Sequence, residues 1–298
     1  MPTFPGVGYE EEIRKIQAGL EALKEREPSD AAWKTVKLAR HHERPQTLDY
    51  IEHAFPGFLE LHGDRLRADD PAIVGGMATL AGGAVMVMGH QKGHDLRERQ
   101  QRNFGMPRPE GYRKVQRLAR MAQKFSMPIV TFVDTPGAFP GADAEEGGQA
   151  GAIATTLRTF AELTVPTIAV VIGEGGSGGA LALALCDRVL MLENAIYSVI
   201  TPEGCAAILW RDAAEAPQAA DALDLTAIDL LRLGVVDSVI PEPRKGAHKH
   251  HRATAKVVAR QIEAALRKLQ DVSPSQRRRE RRLKYLAMGS FTPMTDLI

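Results

Sequence analysis

Residues 173–180 read Gly-Glu-Gly-Gly-Ser-Gly-Gly-Ala, and three kinds of chemistry use such a string. Gly173-x-Gly175-x-x-Gly178 fits a dinucleotide fingerprint, with Glu193 at a plausible distance for a ribose contact. Only residues 179–186 then remain for the crossover helix, which is short for that unit. Gly175-x-Ser177-x-Gly179 fits a nucleophile elbow with Ser177 at its tip. A hydrolase would also need an acid and then a histidine downstream, and His248, His250 and His251 all lie in one charged segment. The third chemistry needs no side-chain nucleophile. A helix that begins at Gly178-Gly179 aims unpaired N–H groups and the positive end of its dipole at whatever lies above it. Glycine lets that backbone come close to a ligand, and such donors stabilise an oxyanion such as an enolate or ureidate. Glycines can also serve only to let a helix pack against a sheet. Five of them in seven residues, with a second loop at Gly137-Ala138, argue for a ligand.

Other side chains offer less. Lys92, in Gly89-His90-Gln91-Lys92-Gly93, could meet a carboxylate or phosphate, or stand in a solvated turn. Cys205 follows Pro202-Glu203-Gly204 near a helix start, which could lower its pKa, but no histidine matches it. The spacing of His248, His250 and His251 fits no standard metal site. The run Arg277-Arg278-Arg279-Glu280-Arg281-Arg282 could meet phosphate or nucleic acid, and is read instead as a subunit contact or a solvated helix face.

Both glycine loops need strands to carry them. Residues 128–133 and 166–172 are continuous apolar runs, each followed by a glycine-rich loop and a helix, from about 145 and over 180–185. A third strand is expected at 188–192. Buried strands alternating with helices imply a parallel sheet covered on both faces, whose ligands bind beyond the carboxyl ends of the strands. Upstream, residues 72–80 and 84–88 read as a hairpin around Ala81-Gly82-Gly83, followed by a helix over 110–125 with Pro109 in its first turn. Helices are also expected over 9–26 as an amphipathic arm, from Ser29-Asp30 to about 38, over 252–269, and from Ser273-Pro274-Ser275 onward.

Of 298 residues, 44% are hydrophobic and 25% charged, as in a packed globular chain. The two cysteines, Cys186 and Cys205, cannot build a disulfide framework or a four-cysteine zinc site, which points to a reducing, cytoplasmic setting. No secretory signal is visible at the start. Residues 165–186 are long enough to span a bilayer, but central glycines beside Glu174 break the run. From Pro241 on, fourteen Lys/Arg face five Asp/Glu, a surplus of nine; the chain's net +1 therefore leaves −8 on the first 240 residues. A basic tail on an acidic body suggests an anionic partner or a solvated helix.

Several long stretches taken together resemble a known family. They are Gly89-His90-Gln91-Lys92-Gly93, Asn103-Phe104-Gly105-Met106-Pro107, Pro109-Glu110-Gly111-Tyr112-Arg113-Lys114, residues 134–141 and 173–180, and Tyr197-Ser198-Val199-Ile200-Thr201-Pro202-Glu203-Gly204-Cys205. In this order they are similar to the α subunits of bacterial acetyl-CoA carboxylase carboxyltransferases, from about residue 38 to 248. The resemblance implies an α/β, crotonase-like fold of repeated ββα units with helical extensions. A helical arm is expected over 1–55, the carboxyltransferase core over 56–246 and a basic helical extension over 247–298.

The resemblance also implies a function. The family moves a carboxyl group from carboxybiotin, carried on the biotin carboxyl carrier protein and charged by biotin carboxylase, to acetyl-CoA, giving malonyl-CoA. It acts as an α2β2 heterotetramer whose β subunit bears a zinc ribbon; this chain, with two cysteines, cannot be that partner. No metal and no covalent biotin are expected here, and neither a membrane nor nucleic acid is expected as a partner. Gly178 and Gly179 match the backbone oxyanion hole for the biotin ureido oxygen. Gly137, Ala138, Phe139, Gly175, Gly176 and Lys92 match the substrate-binding positions. No protein general base is required, and a bulky residue at Gly179 is expected to abolish transfer while sparing assembly. A carboxyltransferase or decarboxylase for another acyl-CoA, a serine hydrolase using Ser177 and a non-catalytic scaffold remain as alternatives. The chain departs from the family at His94, where Arg is usual, at Phe139 for Tyr, at Gly147 for Arg, at Thr201 for Ser and at Lys245 for Gly.

Overall fold

The computed structural model describes residues 30–289 and, before them, residues 13, 14, 17–19 and 21, which are helical. The rest of the expected arm over 9–26 lies outside the described residues. Helix α1 (Asp30–Ala39) and helix α2 (Thr47–Ala54) lead into β1 (Leu59–Glu60) and the hairpin of β2 (Ile73–Leu80) and β3 (Gly83–His90). Two residues make the hairpin turn. Ala81 and Gly82 both lie in the left-handed region, the twist that suits paired antiparallel strands. After α3 (Leu96–Gln101), helix α4 (Pro109–Lys124) starts with proline in its first turn, where the missing N–H costs nothing. It buries Tyr112, Val115, Leu118, Ala119 and Ala122, a stripe at helical spacing.

β4 (Ile129–Thr135) is buried throughout, as expected for a strand covered on both faces. The single helix expected from about 145 is two, α5 (Ala142–Glu146) and α6 (Gln149–Glu162). Gly148, at φ +83°, breaks the path between them, a conformation that favours glycine. β5 (Thr167–Gly176) extends four residues beyond the apolar run, so the first glycines of the cluster are strand and not loop. Helix α7 (Ser177–Ala184) follows without a gap, then β6 (Arg188–Leu192). The 165–186 run is therefore strand plus short helix, and no helix among the described residues is long and apolar enough to cross a membrane. Beyond it come β7 (Ile196–Ser198), α8 (Pro202–Leu209), α9 (Ala216–Ala222), α10 (Ala227–Arg232) and β8 (Ser238–Ile240), of which the sequence patterns revealed only the start of α8. Helices α11 (His251–Gln270) and α12 (Pro274–Leu286) end the described chain.

The strands form one sheet in the order β1-β2-β3-β4-β5-β6-β8, with β7 on the far end of β5. It is mixed. The β1-β2-β3 pairs are antiparallel and every later pair is parallel. One apolar core runs from Tyr50 through the strands to Val258, Ile262, Leu266 and Leu269 of α11. Both cysteines are buried; burial pushes the Cys186 thiol up to about 12 and raises that of Cys205.

The arginine run on α12 is not simply a solvated face. Arg277 donates to the carbonyls of Leu269, Val272 and Thr164, while Arg281 pairs with Asp187 at 3.0 Å and donates to the Leu163 carbonyl. Tyr285 Oη donates to the Ala184 carbonyl at 2.8 Å and accepts from the Cys186 N–H at 3.0 Å. The i, i+4 spacing puts Arg277 and Arg281 on the inward face and leaves Arg278, Arg279 and Arg282 outward.

Candidate functional site

β4 and β5 run parallel, so both glycine loops leave the sheet at the same end. In register, Val133 faces Val171 and Thr135 faces Gly175, so Asp134 alone stands opposite Ile172, Gly173 and Glu174, and β5 bulges there. Beyond it the two loops touch backbone to backbone. A Cβ on Gly176 would lie 2.0 Å from the Pro136 oxygen, and one on Gly179 would lie 2.5 Å from the Ala138 nitrogen. Gly175 is pressed against Tyr197, with 2.8 Å to its ring, and Gly173 against Asp134, with 2.5 Å to Oδ1. Packing thus accounts for four of the five glycines. Gly178 differs: the nearest atom to its Cβ position is Ile153 Cγ2 at 3.9 Å, and the residue is partly exposed.

The N–H groups of Ser177, Gly178 and Gly179 precede the first intrahelical bond of α7, and no side chain caps them. On the facing loop, the Gly137 N–H goes to Thr135 Oγ1 at 3.1 Å and the Phe139 N–H to the Pro107 carbonyl at 3.0 Å. Between them, the Ala138 N–H has no acceptor among the described residues. Gln149 Nε2 holds the Pro107 and Phe139 carbonyls together, and the Arg108 guanidinium lies 4.3 Å over the Phe139 ring. Gly178, Gly179, Gly137, Ala138, Phe139, Gly175 and Gly176 thus converge at one end of the sheet. What they present is uncharged backbone donors, an arrangement suited to charge developing on an oxygen.

Lys92 reaches the same place but turns to this chain's own carboxylates. Its Nζ lies 2.7 Å from Asp134 Oδ1 and 3.1 Å from Glu174 Oε2. Burial opposes its charge, yet those two carboxylates hold its pKa above the ordinary value. Glu174 sits below its ordinary value because Lys92 and Arg40 outweigh its burial. Arg40 Nε donates to Glu174 Oε1 at 2.7 Å, and its Nη1 to Glu203 Oε1 at 2.6 Å. Beneath the loops His90 is fully buried. Its Nδ1 faces the Asp134 N–H at 3.4 Å, and burial pushes its pKa down to about 3, so it is neutral. Gln46 ties the Lys92 turn down, accepting from the N–H groups of Lys92 (3.1 Å) and Gly93 (2.7 Å).

Arg40, Gln46, His90, Asp134 and Glu174 did not stand out in the sequence. A charged residue at the end of each of two all-apolar strands, Asp134 and Glu174, was the signal present. The rival chemistries find no support in the geometry. Ser177 is exposed at φ +54°, but no base meets its Oγ among the described residues. His248 stacks on His41 at 4.2 Å, and His251 Nε2 lies 2.6 Å from the Glu43 carbonyl. Glu193 accepts from the Glu242 N–H at 3.1 Å instead of standing free for a ribose. No group of three or more metal-capable side chains occurs among the described residues.

A family model described as "Acetyl co-enzyme A carboxylase carboxyltransferase-like" matches residues 4–289. The acetyl-coenzyme A carboxylase carboxyl transferase subunit alpha of a Thermus thermophilus strain is 54% identical over 287 residues, 96% of this chain and 91% of that protein. A fused "subunits beta/alpha" protein of Salinispora arenicola is 59% identical over 259 residues, and the chain spans only 46% of it. Among solved structures, transcarboxylase 12S superposes with a TM-score of 0.63 at 20% identity, covering 90% of this chain and 48% of that one. A Pseudomonas malonate decarboxylase hetero-tetramer in complex with coenzyme A gives 0.61 at 17% identity, covering 80% and 97%. The backbone is therefore that of the crotonase-fold carboxyltransferases, and by sequence the chain belongs to the family of acetyl-CoA carboxylase carboxyltransferase alpha subunits.

Proposed function

We propose that carboxyl transfer in this chain is centred on the N–H groups of Gly178 and Gly179, with Gly137, Ala138, Phe139, Gly175 and Gly176 forming the surrounding substrate surface. Membership of the family makes the chain a component of a biotin-dependent transferase that forms malonyl-CoA from acetyl-CoA. Its partners on this reading are a separate zinc-ribbon β subunit, in a cytoplasmic α2β2 assembly, and the biotin carboxyl carrier protein charged by biotin carboxylase. Carboxybiotin, bound to the carrier, supplies an activated carboxyl group whose release moves negative charge onto the ureido oxygen. The observation that carries the proposal is the pair of touching loops that leave the Ala138, Gly178 and Gly179 N–H groups without protein acceptors.

The residues present fit such a ligand. Fixed backbone dipoles aimed where charge develops need no reorganisation, and removing one such donor costs roughly 10²–10³ in rate. The first turn of α7 adds the positive end of its dipole. Glycine at 178, which packing does not demand, leaves the ligand room to reach those donors. The imidazole beneath the loops, His90, is fully buried and neutral, and the carboxylates Asp134 and Glu174 are held by Lys92 and Arg40, which supports a reading in which this subunit binds, orients and stabilises charge.

Position 178 also gives the cleaner test. A side chain at Gly179 would strike the Ala138 and Gly137 backbone, so the substitution expected to spare assembly there would disturb the loop instead. Gly178→Val adds bulk in open space. In the assembled enzyme, transfer from malonyl-CoA to free biotin should fall about a hundredfold with the complex intact. Undiminished turnover would refute the site.

A further inference from the structure

We propose that Lys92 is a positioning residue that locks the carboxyl ends of β4 and β5 together, setting the spacing of the two donor loops, and is not itself a ligand for the anionic substrate. The inference rests on the site described under Proposed function and deepens it. It starts from the bulge of β5 opposite Asp134. Up to Val133 and Val171 the parallel ladder ties the strands residue by residue, and it resumes only at Thr135 and Gly175. Across the gap the strands are joined by side chains.

Asp134 Oδ1 accepts both the Glu174 backbone N–H at 2.9 Å and Lys92 Nζ at 2.7 Å. Lys92 completes the bridge to Glu174 Oε2 at 3.1 Å. Asp134 lies two residues before Pro136, where the first loop begins, and Glu174 two residues before Gly176, the N-cap of α7. One ammonium therefore fixes the origins of both donor loops.

The surroundings are shaped for that task. A Cβ on Gly105 would lie 2.5 Å from Lys92 Cγ, so the lysine stem runs in a channel that only glycine leaves open. Gln46 holds the backbone of the lysine turn from the other side. The side chain is only 16% exposed, and both carboxylates compete for its protons, which leaves little for an incoming phosphate or carboxylate. Charge explains why the lysine cannot simply be dropped. Lys92 and Arg40 stand against Asp134, Glu174 and Glu203, a net charge of −1. Without Lys92, Asp134 loses the cation it meets and Glu174 keeps only Arg40, which it shares with Glu203; both carboxylates are largely buried, and buried like charges drive apart or force one to take a proton.

The test uses the enzyme assembled with its β subunit and measures transfer from malonyl-CoA to free biotin. Lys92→Met should lower kcat about a hundredfold, the cost of misplacing a catalytic group by about 1 Å. KM for malonyl-CoA should stay within about twofold, because no ground-state contact is removed. Lys92→Met with Glu174→Gln restores the net −1 by leaving one cation against two carboxylates, and should regain about tenfold or more of the lost kcat. A rise in KM with kcat unchanged would overturn the proposal and make Lys92 a substrate ligand. A double variant no faster than the single would overturn it as well. If the single variant does not fold, the charge-balanced double decides: it must fold and turn over faster than Gly178→Val, or the clamp is wrong. Failure of the underlying site shows separately, because Gly178→Val leaves the clamp untouched: full activity in that variant refutes the donor loops whatever Lys92 does.

Discussion

At the start of β5, Thr167 gives its N–H (2.8 Å) and its hydroxyl (2.9 Å) to Asp187, and Asp187 meets Arg281 from the last helix at 3.0 Å. At the other end of the same strand, Glu174 meets Lys92 and Arg40. Both are buried ion pairs binding β5 to distant parts of the chain, but their electrostatic balance differs. At Asp187 burial wins, holding the carboxyl above its ordinary value in spite of Arg281. At Glu174 the two cations win, and the carboxyl falls below it. The lower pair therefore fastens a helix at a cost in desolvation, and the upper pair holds charge firmly where loop geometry matters. Their response to acid should differ in sign. Stability from Glu174 is present above its ordinary value near 4.5 and is lost as pH falls through its lower folded value, whereas protonation of Asp187 relieves a penalty.

Arg281→Met probes the lower end and should give the largest effect on stability. Breaking a buried pair from one side costs about 3–5 kcal/mol, visible as a lower thermal midpoint, while kcat per assembled enzyme stays at the parent value. A fall in kcat matching that of the Lys92 variant would erase the distinction between the two ends. Gly176→Ala probes the upper end with a smaller stability cost, about 1–3 kcal/mol for overpacking, because its Cβ meets the Pro136 carbonyl. Here turnover should suffer more than the thermal midpoint, and the reverse ranking would assign the contact to folding alone. His94→Arg is the mildest change, on the turn that carries Lys92. His94 Nε2 lies 3.0 Å from Asp49, which raises its pKa, so its contribution is complete below about 6.5 and lost as pH rises through the higher folded value. Arginine should hold the contact at alkaline pH, with a gain of at most about 0.5 kcal/mol for so exposed a pair. A midpoint measured at pH 6 and pH 9 reads that difference.

The two ends of β5 were not equally visible in the sequence. The apolar runs that became β4, β5 and β6 carry their own signal, since strands buried on both faces have nothing but apolar residues to show. The glycine cluster was legible as a loop over a helix start for the same local reason. Its glycines were harder to sort, because packing at 173, 175, 176 and 179 depends on Asp134, Tyr197, Pro136 and Ala138, partners set by tertiary structure. Only Gly178 keeps the open surroundings that a ligand-facing glycine needs. The elements β7, α9, α10 and β8 escaped notice because they are about two turns or less, or three residues of strand, too brief for any period to emerge. Arg277 and Arg281 looked like a subunit contact or a solvated face because the acceptors that tie them to the core, the Thr164 and Leu163 carbonyls and Asp187, lie roughly ninety residues or more away in sequence. Charge in a run says little about depth; the i, i+4 spacing of those two arginines was the only local hint.

The chain's two sulfhydryls lie inside the protein, and their raised pKa values keep them protonated in neutral buffer. A native-state maleimide or iodoacetamide reaction would therefore leave them largely untouched, without any need to remove them by mutation. A cysteine placed at position 178, where neighbouring atoms leave a gap, would then be the only readily reactive thiol in the chain. It could carry a fluorophore or spin label at the mouth of the loops, turning the arrival of a carrier protein into an optical or magnetic signal.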